Sequence, residues 1–290
     1  MGHVGTSSLP DVRQSDWDRV IDATIESVRD YLRSLPDRRV YPESSDPSTL
    51  RDLFGGPLPE DGMAPDEVVR FLGREVEPFL TSHASGRFFG FVIGGLHPAS
   101  LGADILTATW DQNSGLYPVT PGTVMVEEVA ARWIVELLGL PETSSVGLVT
   151  GGQMANFTCL ASARDYVLRE AGWDVEFNGL QGAPTVNVIV KADGHTTVLR
   201  SLRYLGLGTS TAMPVECDAQ ARMNVDALEE VLAGVEGPTI ICVEAAQINT
   251  GAFDDFGAVA DLADAHRERG HPTWVHVDGA IGLWALAARS

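Results

Sequence analysis

From Asp16 to Leu35 apolar side chains recur every third or fourth position, with Trp17, Val20, Ile21, Ile25, Val28 and Leu32 on one side of a predicted helix that Pro36 ends. That stripe suits an arm that packs on a partner, and it can equally pack within the chain. The segment from Asp37 to Pro65 is rich in Pro, Ser, Asp and Gly and reads as irregular, and Pro65 opens a second helix running to Leu80. From Ser85 to Leu96 the glycines are too dense to assign an element. Pro98 to Trp110 and Thr120 to Leu138 read as helices; the latter has Thr120 at the N-cap, Pro121 at the first helical position and Gly139 after its end.

Beyond Pro141 short apolar runs alternate with helical patterns. Val146 to Thr150 precedes a helix from Gln153 to Glu170, Thr185 to Val190 precedes a short helix from Thr196 to Tyr204, and Thr239 to Val243 precedes a helix from Phe256 to Arg269. Trp274 to Asp278 is the last predicted strand. Such alternation predicts an α/β fold with a mainly parallel sheet covered on both faces, where ligands bind beyond the carboxyl ends of the strands. The division expected is an N-terminal helical segment, 1–80, and a larger α/β domain, 81–290.

With 290 residues, 44% of them apolar, the chain can bury a substantial core. Its formal charge of −20 argues against nucleic acid and anionic membranes as partners, since both call for clustered basic residues. Cys159, Cys217 and Cys242 are far apart and odd in number, which suggests neither a disulfide framework nor a zinc site and fits a cytoplasmic setting. No apolar run reaches the roughly 20 residues of a membrane span, and residues 1–11 lack the pattern of a signal peptide. Lysine is scarce: Lys191 stands alone against nineteen arginines.

Candidate chemistry gathers at the predicted strand ends. Thr150, Gly151, Gly152 and Gln153 lie where a strand turns into a helix, so free N–H groups and the positive end of the helix dipole could hold an anion, with Thr150 and Gln153 adding side-chain donors. On its own a double glycine there reads first as an ordinary tight turn. His195 follows the next strand and could stack on an aromatic ligand or move a proton, whereas His3, His83, His97, His266, His271 and His276 have structural readings. His276 is expected on the opposite face of its strand from Asp278, which argues against a metal pair. Gln247 and Asn249 supply amides beyond a third strand. Asp278 ends the last one, and a buried carboxylate there calls for a cation or hydrogen bonds. A ligand with a phosphate at one end and a protonated ring nitrogen at the other would meet all of these groups.

The blocks Thr150–Asn156, Asp193-Gly-His195, Asn249–Asp254 and Val275–Ala280, in that order, resemble the group II pyridoxal-phosphate-dependent amino-acid decarboxylases, among them the aromatic amino-acid and glutamate decarboxylases. The text from Arg87 to Phe91, Asp111 to Asn113 and Trp133 to Pro141 is similar to that family too. The resemblance implies a fold type I large domain behind an N-terminal helical arm, with pyridoxal 5′-phosphate as cofactor and an L-amino acid as substrate. It implies that Gly151 to Gln153 hold the phosphate, that His195 stacks on one face of the ring with Ala280 on the other, and that Asp278 pairs with the ring nitrogen. Phe88 and Phe91 would border the substrate pocket, and the full-length parent would be a homodimer.

Two departures accompany the resemblance. Ala246-Gln247-Ile248 stands where many members have Gly-Thr-Thr, so Gln247 or Asn249 would have to replace a hydroxyl. The family's Schiff-base lysine is expected a few tens of residues past the Asp278 block, and the sequence ends at Ser290, so the chain reads as a decarboxylase lacking its C-terminal part. Lys191 lies on a different strand and reads as a surface or strand-edge residue. The alternatives are another fold type I enzyme, such as an aminotransferase or lyase, and a non-catalytic binding remnant.

Overall fold

The computed structural model describes residues 13–42, 44 and 46–288. Its contacts group into two units, one up to Asp111 and one from Gln112 onward. In the first, α1 (Gln14–Ser34) precedes α2 (Pro47–Phe54) and packs along α3 (Pro65–Phe71). Arg19 reaches Asp66 at 3.3 Å and Arg70 reaches Glu26 at 3.2 Å. Exposed pairs of this kind contribute about 1 kcal/mol or less, so apolar contact decides the packing. Ile25, Val28 and Leu32 share a groove with Leu101 and Ile105 of α4 (Pro98–Trp110), while Trp17 and Ile21 stay more than half exposed.

Two expectations for this unit need correction. The segment read as irregular contains α2, which starts because Asp46 accepts a hydrogen bond from Thr49 N at 2.9 Å and Pro47 occupies the first helical position. The helix expected from Pro65 to Leu80 ends as a helix at Phe71 and continues as a wide turn, Leu72–Val76, and a tight one, Glu77–Phe79. Pro78 has no N–H to extend a helical ladder. Gly73 lies so close to α1 that a Cβ would stand 2.8 Å from Ser27 Oγ.

The second unit opens with α5 (Pro121–Leu137), preceded by Thr120 and followed by Gly139 at φ +60°. Thr120 sits at the N-cap, but its hydroxyl donates to Asn113 O at 2.8 Å instead of capping the helix. Then follow α6 (Gly152–Glu170), α7 (Val175–Asn178), β1 (Asn187–Lys191), α8 (Thr196–Tyr204), β2 (Ala212–Val215), α9 (Val225–Ala233), β3 (Thr239–Glu244), α10 (Phe256–Glu268) and β4 (Thr273–Asp278). The strands form one sheet in the order β2-β1-β3-β4, parallel throughout, which is the expected α/β fold.

Alternation along the central strands sends side chains to two cores. Val188, Val190, Ile240 and Cys242 join Leu160, Val167 and Leu202 on the α6 and α8 side. Ile189, Ile241 and Val243 join Leu228, Val259 and Ala263 on the α9 and α10 side. Filling both faces explains why β1 and β3 are apolar at consecutive positions.

The strand expected from Val146 to Thr150 is absent. Leu148 is 55% exposed and Val149 40% exposed, and no neighbouring strand among the described residues offers them a ladder. Sequence reading also passed over β2, whose Pro214 is tolerated because β2 lies at the sheet edge, and α9, capped by the Asn224 side chain accepting from Ala227 N at 3.2 Å. Replacing fully buried Ile240 by alanine is expected to lower unfolding free energy by roughly 2–5 kcal/mol, against little change for Ile248→Ala, where the side chain is 47% exposed; urea titration of the two variants measures the contrast.

Candidate functional site

Three of the expected groups meet at the carboxyl end of the sheet in the second unit. Asp278 is the last residue of β4 and pairs in register with Glu244, the last of β3. His195 caps the N-terminus of α8 directly after the β1 turn. The first turn of α6 begins at Gly152, and its Asn156 reaches across to Asp278.

Asn156 organises the site. It is 6% exposed, and its amide nitrogen donates to Asp278 Oδ2 at 2.9 Å and to Thr197 Oγ1 at 3.0 Å. Its oxygen accepts from His276 Nε2 at 2.7 Å. Both amide hydrogens are thereby used, and Thr197 Oγ1, which accepts one of them, hydrogen-bonds His195 Nδ1 at 2.7 Å. Thr197 N points at the same Nδ1, 3.4 Å away. His195 Nδ1 is thereby turned toward the first turn of α8.

His276 and Asp278 thus lie on one face of β4, contrary to expectation. Strand side chains repeat every two residues, so positions 276 and 278 must share a side. Burial lowers the His276 pKa below its ordinary 6.5, with Asp278 partly opposing, so the ring stays neutral and serves as a donor to Asn156.

Asp278 itself has hydrogen bonds but no ion pair among those of the described residues. Its Oδ1 accepts from Ala280 N at 3.2 Å, and the carboxylate retains free lone pairs beside a cavity of about 220 Å³ lined by Lys191, His195, Val198, Cys242 and Glu244. Burial, with the Asp278 charge adding, pushes the Cys242 thiol up to about 12, and the same two causes raise Cys159. Neither cysteine is a thiolate near neutral pH.

At the start of α6 the N–H groups of the first turn have no acceptor within the helix. Gly151 takes φ +158° and ψ 179°, backbone that glycine adopts readily, and a Cβ at Gly151 or Gly152 would touch nothing within 4 Å. The cradle is open, and Thr150 beside it is exposed. The Gln153 amide does not point into this cradle as a donor, because it gives its hydrogens to Thr197 O at 3.2 Å and Ser201 Oγ at 2.8 Å. What Gln153 offers an anion is its backbone N–H.

Gln247 is likewise occupied. Its Oε1 accepts from Asn249 N at 2.6 Å and Thr250 N at 3.1 Å, stapling the loop beyond β3, whose Ala246 has φ +67°. The Asn249 residue is exposed. Phe88 and Phe91 belong to the first unit: Phe88 packs against Tyr41 and His83, and Phe91 is 82% exposed with φ +59°. Asn156, Thr197 and Glu244 escaped sequence reading. Each left a trace: Asn156 one helical turn past Gln153, Thr197 two residues past a capping histidine, and Glu244 ending an apolar strand as Asp278 does.

The pyridoxal-dependent decarboxylase conserved domain matches residues 47–290. This chain belongs to that family. It is 28% identical to the acidic amino acid decarboxylase GADL1 of Mus musculus over 84% of this chain and 43% of that protein. It is 27% identical to the aromatic-L-amino-acid decarboxylase of Bacillus atrophaeus over 90% of this chain and 52% of that one. Among solved structures, Oryza sativa TDC with PLP superposes with a TM-score of 0.82 over 97% of this chain and 61% of that chain, at 22% identity. Mouse CSAD gives 0.81 over 95% and 56%, at 23% identity. These two likenesses show the fold. The chain spans about half the length of the curated relatives it matches.

The family's cofactor is pyridoxal phosphate, and the residues present fit it. A carboxylate with free lone pairs suits a protonated ring nitrogen, a flat imidazole suits a ring face, and open backbone N–H groups suit a phosphate. Burial of neutral His276 also makes stability depend on pH. Its folded pKa is depressed, so the unfolded chain binds the proton more readily, and the contribution is complete above about pH 6.5 and lost as pH falls below it. The thermal unfolding midpoint is expected to fall between about pH 7.5 and about pH 5.5, and to fall less in His276→Gln; buried His266, shifted the same way, retains its part.

Proposed function

We propose that this chain is the cofactor-holding part of an enzyme that decarboxylates an L-amino acid to an amine and carbon dioxide. The observation that carries the reading is Asp278: a carboxylate fixed by Asn156 and Ala280, with no ion pair among those of the described residues, lining a cavity it shares with His195. The family match supports the same reading.

When bound, the pyridoxal group supplies an electron sink for the bond that loses carbon dioxide. Asp278 holds the ring nitrogen protonated, because a fixed anion beside it favours the charged form. His195 would lie against one ring face, and Ala280 would border the other. The backbone N–H groups of Gly151 to Gln153 hold the phosphate, and Thr150 lies beside them. Asn156 keeps the Asp278 carboxylate in one orientation, which preorganises the charge.

We read the parent as a homodimer, supported by the apolar side chains that α5 leaves exposed, Met125, Val126, Trp133 and Leu137. A cytoplasmic setting is supported by three free cysteines. The names of the relatives cover acidic and aromatic amino acids, cysteine sulfinic acid among them. The chemistry common to these substrates is an α-amino group beside the carboxylate that leaves.

Pyridoxamine 5′-phosphate, which needs no lysine, tests the noncovalent half of the site. The 290-residue chain is expected to bind it in a fluorescence titration, and Asp278→Asn to weaken binding by roughly tenfold to a hundredfold, the worth of one charge-assisted hydrogen bond. Equal affinity in the variant would count against the reading. With pyridoxal phosphate and borohydride, no adduct is expected on Lys191, whose amine is held by two carboxylates; a modified Lys191 in peptide mapping would show the opposite.

A further inference from the structure

We propose that Glu244 is a positioning residue: its carboxylate, held in place by Lys191 and Asp254, fixes the backbone of His195 and so sets the imidazole over the cavity. The inference rests on the reading of His195 as the residue against the cofactor ring.

The two oxygens of Glu244 have separate partners. Oε2 pairs with Lys191 Nζ at 2.9 Å, and Oε1 accepts from His195 N at 3.0 Å. Lys191 Nζ also lies 3.2 Å from Asp254 Oδ1. Asp254 is in turn tied to two stretches of backbone, accepting from Met223 N and from Glu244 N, each at 2.7 Å. The side chains of Lys191, Asp254 and Glu244 are 1%, 0% and 14% exposed. A cluster so buried and so fully bonded has one arrangement, because displacing any member strands a charge away from water.

Lys191 acts here as a counter-ion. Burial by itself would lower its pKa, but the hydrogen bonds and charges of Glu244 and Asp254 outweigh burial and hold it above the ordinary lysine value. A protonated amine is no nucleophile. Glu244 and Asp278 are register partners on adjacent strands, so their carboxylates stand side by side at the cavity. Pairing Glu244 with Lys191 leaves Asp278 as the carboxylate free to meet a cation.

His195 is therefore held at two points. Its ring is turned by Thr197, and its N–H, which has no acceptor within α8, is held by Glu244. A carboxylate at that place is also favoured by the α8 dipole. The β1 turn adds rigidity: a Cβ on Gly194 would stand 3.2 Å from Lys191 O. With the backbone free, Thr197 alone would leave the ring's height above the cavity unset.

A double-mutant cycle reads this directly. In the 290-residue chain, affinity for pyridoxamine 5′-phosphate is measured by fluorescence titration for the wild type, Glu244→Ala, His195→Ala and the double variant, with the absorbance band of the bound pyridine recorded for each. Glu244→Ala is expected to weaken binding about tenfold in the wild type and to change it by less than about twofold in His195→Ala, since a residue acting through His195 has no effect without it. An equal loss in both backgrounds would mean a general structural role and would overturn the proposal. If Glu244→Ala does not fold, Glu244→Gln keeps an oxygen for His195 N and is expected to lose about threefold against nothing in the same cycle; equal losses again overturn it. His195→Ala binding as tightly as the wild type, while Asp278→Asn still binds weakly, would remove the ring reading of His195, and the proposal with it, without touching the role of Asp278.

Discussion

The side-chain amide of Asn156 joins α6, α8 and β4 at one point, and the arrangement of the whole site depends on it. It has two hydrogens and one oxygen, and all are engaged, by Asp278, Thr197 and His276. Because an amide is planar and its ends are chemically distinct, this one group decides the direction of every neighbouring bond. His276 donates to it, and Asp278 and Thr197 accept from it. Without it, three buried or half-buried polar groups would lose a partner, at about 1–3 kcal/mol for each group left unsatisfied.

Around that amide the charges are arranged with equal economy. Parallel strands bring their carboxyl ends to one edge, and two of the four end in acids, Glu244 and Asp278. Two adjacent carboxylates in a half-buried cavity repel unless one is compensated. Lys191 compensates Glu244 and is in turn fixed by Asp254. Asp278 is left with hydrogen bonds alone, a configuration stable in itself and still attractive to a cation. Burial, with the Asp278 charge adding to it, keeps the neighbouring Cys242 a thiol.

Much of this could be read from sequence, for definite reasons. The continuous apolar runs of β1, β3 and β4 and the periodic helices after them identify a parallel sheet because both faces must be filled, and Asp278 and His195 were legible because polar residues closing such strands stand out. Val146 to Thr150 misled because β-branched composition says nothing of whether a partner strand exists. The glutamine side chains at 153 and 247 misled for a related reason: an amide within reach of a ligand is also within reach of its own backbone, and here both bond to the protein. Asn156 and Glu244 leave only faint local traces, since their roles come from pairings 122 and 49 residues away in sequence.

A chain with a formal charge of −20 and a single lysine is an unpromising place to hold a phosphate. Distance resolves the conflict. Charges beyond a Debye length of about 8 Å are largely screened at physiological salt, so the few groups in contact decide. At the start of α6 those groups are backbone N–H donors with no acceptor within the helix, next to glycines that leave the space above them empty. A cradle of peptide dipoles needs no basic side chain, carries no counter-charge to disturb Asp278 on the same helix's far neighbour, and is supplied by backbone geometry alone. A chain with 40 acidic and 20 basic residues can in this way still offer an anion a place to bind, as the proposed reading requires.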